Sequence, residues 1–465
     1  MPTSSTTATQ PSGSAVTAAS GSTTARASLL FALTFVVIPN LAFLAASIFF
    51  VPERIIVAPF YLAVGLLAPF VPVGITAVLL AGVAAFDWVV LICRIFFLSP
   101  SLALSSLRFM FELDLSASWL YIAFAFMTLA TVVAMVWMTA RYRHVFRQAR
   151  LVPAALALAA LIGIDGAVNH TWTMFFPTAA KIPPFDSAFR LSGISSGPAA
   201  SGQRNLLLVL VEGFGAFADP AHRALFDAKL LAPEIQSRFV LASGTSPYVG
   251  STTGAESREL CGRWGDYRDY LQGGPFDCLP SRLQAKGVET IAVHAFSGSM
   301  FHRLIWYPKI GFDRVIAEEV LKAEYADALP ARCGLTFRGF CDSEVGRIVH
   351  RLASEPSGHN RLIYWLTLNT HVPFKPADDA LRSDCAEGGE FGDAAVCQLA
   401  GMWLEIFDAV SAIASDPDLP PTDILIVGDH NTPMFQRSGR NLFIRDHVGW
   451  WALKSRDHSV LSSLP

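Results

Sequence analysis

The stretch NLLLVLVEGFG, residues 205–215, carries the reading of this chain. Leu206 to Val211 is a continuous apolar run of strand length, without the polar alternation of a strand that has one wet face. Such a run is buried on both faces, as in a parallel sheet covered by helices. It stops abruptly at Glu212, between the strand and a Gly-Phe-Gly turn. Ligands of open parallel sheets bind beyond the carboxyl ends of the strands, so Glu212 stands where chemistry is done.

Similar runs recur at Val288–His294, Leu362–Leu368 and Ile424–Gly428, separated by long connections. This spacing predicts an α/β domain over residues 201–465. The residues that end or follow these runs are His294, His371 in NTHVPF, and Asp429 with His430 in GDH. A single histidine at a strand end is usually a satisfied structural residue. Four strand ends that each deliver such a side chain to one rim form a constellation. Carboxylate oxygens and imidazole nitrogen suit one divalent metal, zinc or manganese. A nucleophile is available in GSTTGAESRELCG, residues 250–262, where Ser251, Thr252 and Thr253 precede a helix-compatible stretch. A hydroxyl there lies among unpaired backbone N–H groups that favour an anionic oxygen. An ordinary N-cap is the plainer alternative.

Upstream the material changes. The chain has 465 residues, 52% hydrophobic and only 16% charged, with net charge −3. Soluble domains average about 25% charged residues, so this is neither a disordered chain nor a nucleic-acid binder. No lysine precedes Lys181. Residues 1–27 are rich in Ser, Thr, Ala and Gly and read as a disordered cytoplasmic tail. Residues 28–168 read as a transmembrane domain of five helices: 29–51, two within 55–98 divided at Pro69 and Pro72, 118–140 and 151–168. Asp87 and Arg94 inside the third segment read as a buried ion pair or an interfacial position.

Arg141, Arg143, Arg147 and Arg150 lie between the last two spans and place that loop in the cytoplasm. Everything after Val168 is then extracytoplasmic. Six of seven cysteines (Cys261, Cys278, Cys333, Cys341, Cys385 and Cys397) fall in that part, as disulfides in an oxidising compartment would require. Sequential neighbours are the simplest pairing. Residues 169–200, with Trp172, Phe175, Phe176 and Phe185, read as an interfacial linker.

Together these motifs resemble the alkaline-phosphatase/sulfatase superfamily. Within it they look most like the membrane-anchored branch of lipoteichoic acid synthases and lipid A phosphoethanolamine transferases. The resemblance implies an alkaline-phosphatase-like α/β/α sandwich behind the five-helix membrane domain. VEGFG is similar to the first metal-ligand motif, with Glu212 as ligand, and GDH supplies Asp429 and His430. GSTTGAES looks like the nucleophile turn and matches best with Thr252, which would also bind the metal; the spacing of the phosphoethanolamine branch leaves Thr253 open. HAFSGSMFHRLIWYPKIGFDRV, residues 294–315, puts Arg303 at a substrate phosphate, with His371 matching a phosphate-contacting histidine. His294 and His447 join them as candidate phosphate-site residues. The stretch NTPMFQRSGRNLFIRDHVGW after GDH matches neither branch closely.

By the same resemblance the chain would be a transferase of the bacterial inner membrane, with its catalytic domain in the periplasm or exterior. Its donor would be phosphatidylethanolamine or phosphatidylglycerol, its acceptor an envelope lipid or glycan, its intermediate a phosphothreonine. A sulfatase or phosphodiesterase is the alternative. Cys278-Leu-Pro-Ser-Arg282 fits a sulfatase formylglycine signature, but it precedes a helix well beyond the nucleophile turn and reads as a disulfide half.

Overall fold

The computed structural model describes residues 14–45, 54–96, 98–114, 119–169, 186–374, 383–434 and 436–456. The chain forms two compact units: Met1–Leu91 with Leu120–Phe175, and Ile92–Trp119 with Phe176–Pro465. The expected linker aromatics Trp172, Phe175, Phe176 and Phe185 lie outside the described residues.

The first unit is helical and apolar. Where the tail was expected to be unstructured to residue 27, a helix runs from Ser14 to Ala32. Extending an existing apolar helix into Ala- and Ser-containing sequence needs only propagation, with no new nucleus. The count of five spans is corrected. Among the described residues four helices are long and apolar enough to cross a membrane: Thr23–Phe43, Val73–Cys93, Tyr121–Phe146 and Ala394–Ser415. The fourth belongs to the second unit. The expected spans near 58 and 152 are shorter apolar helices, Ala58–Leu67 and Val152–Ala167. Pro59 opens the first of them in its first turn, and it ends just before Pro69. Arg147 donates to the Pro69 carbonyl oxygen at 3.0 and 3.1 Å, holding the turn that follows.

Asp87 is fully buried, and its partner is Arg54. The guanidinium donates to both carboxylate oxygens at 2.7 Å and to Asn40 Oδ1 at 2.8 Å. The Phe43 ring lies 3.7 Å beneath it. A buried charge survives only when paired and hydrogen-bonded in this way.

The second unit is built on one sheet. Its strands in chain order are β1 (Asn205–Val211), β2 (Gly215–Phe217), β3 (Phe239–Pro247), β4 (Glu289–His294), β5 (Arg314–Ile316), β8 (Arg361–Leu366), β9 (Thr422–Gly428) and β10 (Phe443–Ser455). A separate two-stranded ribbon joins β6 (Arg332–Cys333) to β7 (Gly339–Phe340). The spatial order is β2-β10-β9-β1-β8-β4-β5, with β3 also paired to β10. All four apolar runs are strands, and β9, β1, β8, β4 and β5 are mutually parallel. Every residue of β1 and β9 is buried, which explains their unbroken apolar sequence. The sheet is nonetheless mixed, because β10 runs antiparallel to β9, β2 and β3. This is an alkaline-phosphatase-like α/β fold.

Ala394–Ser415 resembles a span in length and composition, yet it is a core helix. Trp403 packs its ring 4.7 Å from Phe214, and Phe407 lies 5.0 Å from Trp451. Residues 92–119 also join this unit rather than the first, helical one. Leu102 and Phe109 enter its hydrophobic core. The six cysteines of the second unit pair as sequential neighbours: Cys261–Cys278, Cys333–Cys341 and Cys385–Cys397.

Candidate active site

Because β9, β1, β8 and β4 are adjacent and parallel, their carboxyl ends open on one rim. Glu212 follows β1, and Asp429 and His430 follow β9. Ligand atoms of these three buried residues lie within 4.8 Å of one another. His430 Nε2 is 3.3 Å from Glu212 Oε1 and 3.4 Å from Asp429 Oδ2. His430 Nδ1 is 3.0 Å from the Asn431 carbonyl oxygen, which can only accept, so Nδ1 carries the proton. Nε2 is left to face the two carboxylates, as a donor when protonated and as a ligand atom when a cation replaces that proton.

The turn chemistry makes this convergence possible. A Cβ on Gly428 would lie 1.8 Å from the Phe214 carbonyl oxygen, so only glycine lets the two strand ends approach. Gly213, at φ +62°, then turns its N–H to Asp429 Oδ1 at 2.7 Å. Gly428→Ala is expected to destabilise the protein by about 3 kcal/mol through this clash. A lowered thermal midpoint together with lost metal binding would be the result; an unchanged midpoint would contradict the packing.

Glu212 is gripped through its backbone. Its N–H donates to Thr367 Oγ1 at 2.9 Å, and its carbonyl accepts from Thr370 Oγ1 at 2.6 Å and Trp403 Nε1 at 3.2 Å. None of these three residues stands out in the sequence as a site candidate. Thr370 within NTH and Thr367 just before it, at the end of an apolar run, were the available signal; nothing local marked Trp403.

The helix Thr252–Cys261 brings the hydroxyl. Ser251 is its N-cap and accepts from Gly254 N–H at 3.3 Å. Thr252 Oγ1 is 3.3 Å from Glu212 Oε2. Thr253 is buried and turned to Ser251, with 3.2 Å between the hydroxyl oxygens. The geometry thus brings Thr252, rather than Thr253, to the cluster.

The remaining candidates separate. His371 Nε2 is 4.0 Å from Glu212 Oε1, and its ring meets Phe337 at 3.9 Å and Phe96 at 5.9 Å. Asp342 accepts from the N–H groups of Leu368 and Asn369 at 2.8 and 2.7 Å and so holds the turn before it. His294 ends β4 and bonds the Leu366 carbonyl through Nδ1 at 3.1 Å. His447 lies in β10 opposite Pro247, with Nδ1 2.8 Å from the Arg445 carbonyl oxygen. No described contact joins His294 or His447 to the Glu212 cluster. Arg303, expected at the substrate phosphate, is paired in this structure with Glu256 of the helix Thr252–Cys261. It is 3% exposed and donates to Glu256 Oε2 at 3.3 Å, to Tyr307 Oη at 3.1 Å and to the Met300 carbonyl at 3.4 Å. Tyr307 and Tyr364 also donate to Glu256, one turn along from Thr252. A fully buried carboxylate commands these donors, which an exposed phosphate site would otherwise use.

Electrostatics favour a cation at the cluster. Asp429 is pushed up by burial and by Glu212, while Asp429 and Glu212 carry His430 upward against its burial. Asp429 Oδ2 is buried without a hydrogen-bond partner. Three buried acceptors that face one another fit a divalent metal, and without one they must hold protons instead. Affinity for zinc or manganese is therefore expected to fall on acidification through the neutral range, about tenfold per pH unit for each proton displaced. Titration calorimetry at several pH values would measure this, and a flat profile would contradict it. His371, lowered to about 4 by burial and His430, and His294, lowered to about 3 by burial and Arg303, are neutral at pH 7.

The sulfatase family model matches residues 204–438, just over half of the chain. The chain belongs to the sulfatase family. Enzymes of this family depend on metal and act as transferases or hydrolases. One signature of the sulfatases does not operate here, since Cys278 is bonded to Cys261 and ties the end of the helix Thr252–Cys261 to Leu279–Gln284. Among solved structures, the chain is similar to the lipoteichoic acid synthase LtaP from Listeria monocytogenes, at 15% identity and TM-score 0.39, over 55% of this chain and 66% of that one. It is similar to the Streptococcus pyogenes phosphoglycerol transferase GacH in complex with sn-glycerol-1-phosphate, at 15% identity and TM-score 0.39, over 57% and 73%. It is also similar to the C-terminal periplasmic domain of EcEptC from Escherichia coli, at 13% identity and TM-score 0.36, over 56% and 75%. Its match spans just under two thirds of the Listeria synthase. Likenesses this distant carry no argument about substrate. No curated protein matches the sequence.

Proposed function

We propose that the chain transfers a phospholipid head group, phosphoethanolamine or phosphoglycerol, to an envelope lipid or glycan through Thr252. The observation that carries this reading is the Thr252 hydroxyl beside Glu212, Asp429 and His430. Glu212, Asp429 and His430 would hold one zinc or manganese ion, with Thr252 Oγ1 beside them. Bound there, the ion supplies Lewis-acid chemistry that lowers the hydroxyl's pKa. Thr252 Oγ1 gives up its proton and attacks the donor phosphorus, the bond to the diacylglycerol oxygen breaks, and that oxygen leaves with the proton the threonine released. The head group remains as a phosphodiester on Thr252. An acceptor hydroxyl then attacks phosphorus, the Thr252 O–P bond breaks, and the acceptor's proton passes to Thr252 Oγ1. His371, at the cluster's edge, donates to a phosphate oxygen. His294, proton on Nδ1, offers its Nε2 lone pair to the acceptor hydroxyl. His447 remains a phosphate-site candidate only through its place on the strand beside the nucleophile loop.

The apolar helices suit a donor that does not leave the bilayer, since each buried CH₂ contributes about 0.8 kcal/mol. Three disulfides in the second unit support an oxidising location, the periplasm or exterior of a bacterium, with the helices in the cytoplasmic membrane. Lipid and glycan mass spectrometry of cells with the intact chain against Thr252→Ala tests the whole reading. One head group added to a defined acceptor only in intact cells supports it. Release of free head-group phosphate with no modified acceptor would mean a phosphodiesterase instead.

A further inference from the structure

Residues 92–119 are set between two long apolar helices, yet they fold into the catalytic unit. Ser99 caps a helix, Pro100–Ser106, that continues into the 3₁₀ turn Leu107–Glu112. One side of this segment is bound into the unit. Leu102 and Phe109 are buried, the Phe109 ring meets Phe301 at 5.3 Å and His302 at 5.1 Å, and Glu112 accepts from Ser299 at 2.7 Å. Earlier in the segment, Phe96 stacks on His371. The other side is bare: Leu104, Leu107, Met110 and Phe111 are exposed, Phe111 to 97%. The partner turn Met300–His302 leads directly into Arg303–Lys309, whose Leu304 and Ile305 are exposed too. A soluble surface seldom carries such a cluster without use for it.

We propose that Leu104, Leu107, Met110, Phe111, Leu304 and Ile305 form a bilayer-docking face. The occupant follows from chain continuity. Pro100 lies five residues beyond Ile95, the end of one long apolar helix, and Leu113 lies six residues before Trp119, the start of the next. Extended chain reaches about 3.5 Å per residue, so each end of the segment is tethered within roughly 20 Å of an apolar helix end. A face of Leu, Met and Phe held at that range meets acyl chains at the lipid interface, as amphipathic interfacial helices do. The inference rests on the proposed membrane setting of the helices but not on the transfer chemistry.

The test uses the full-length protein in vesicles of phosphatidylethanolamine and phosphatidylglycerol. Nitroxide labels are placed at Phe111→Cys, at Leu304→Cys and, as a solvent control, at Ser237→Cys; the natural free thiol, Cys93, is buried. Relaxation by oxygen against a water-soluble nickel chelate then reports immersion. The expected oxygen-to-nickel ratio at 111 and 304 is about tenfold that at 237. The same values are expected in the Thr252→Ala background, so failure of the proposed chemistry leaves this result readable. Ratios at 111 and 304 equal to the control would overturn the inference. So would a sharp, short label-to-label distance at 111, which would make the face a contact between two copies of the chain.

Discussion

Thr252→Ala is expected to lower head-group transfer by at least about 10³-fold and to abolish any covalent adduct. The hydroxyl lies 3.3 Å from Glu212 Oε2 and bears on the fold only through the carboxylates of the cluster. Thermal stability should therefore stay near that of the parent chain. Thr253→Ala is the control with the opposite signature. Its side chain is buried against Ser251, so it should cost about 1 kcal/mol of stability and little turnover. Intact-protein mass spectrometry after incubation with donor lipid decides the matter. An adduct that persists in Thr252→Ala and vanishes in Thr253→Ala would reverse the assignment.

The second large effect concerns Arg303. Replacing it by methionine leaves Glu256, with no solvent exposure, facing two tyrosines and no cation. Breaking a buried pair in this way costs about 3–5 kcal/mol. For a domain of this size that corresponds to a thermal midpoint lowered by roughly 10 °C. The double variant Arg303→Met with Glu256→Gln removes the stranded charge and should recover most of the loss. If Arg303 served the substrate phosphate instead, the single variant would keep its midpoint and lose only turnover. Because Glu256 lies on the Thr252 helix, the pair also steadies the nucleophile, so some loss of activity accompanies the loss of stability.

The legible part of this protein is what strand periodicity and local chemistry encode. Four apolar runs located four adjacent parallel strands, and the residue types at their ends marked Glu212, Asp429 and His430. The antiparallel edge was harder to see. β10, with Arg445, Asp446, His447 and two tryptophans, lacks the unbroken aliphatic run that betrayed β1 and β9. Ala394–Ser415 and the true candidate spans share length and hydropathy, so only packing separates a core helix from one that meets lipid.

The sequence alone determined where the sheet lies, which strand ends carry metal-capable side chains, and that six cysteines could pair with their neighbours. Tertiary structure decided which donor meets which acceptor. Gly213 and Asp429 stand 216 residues apart and bond at 2.7 Å, a proximity no local pattern encodes. In the same way Arg303 went to Glu256, Asp87 to Arg54, and Thr252 rather than its neighbour to Glu212. Each of these outcomes depends on which buried charge comes within reach once the chain has closed, because desolvation penalises any that is left unpaired.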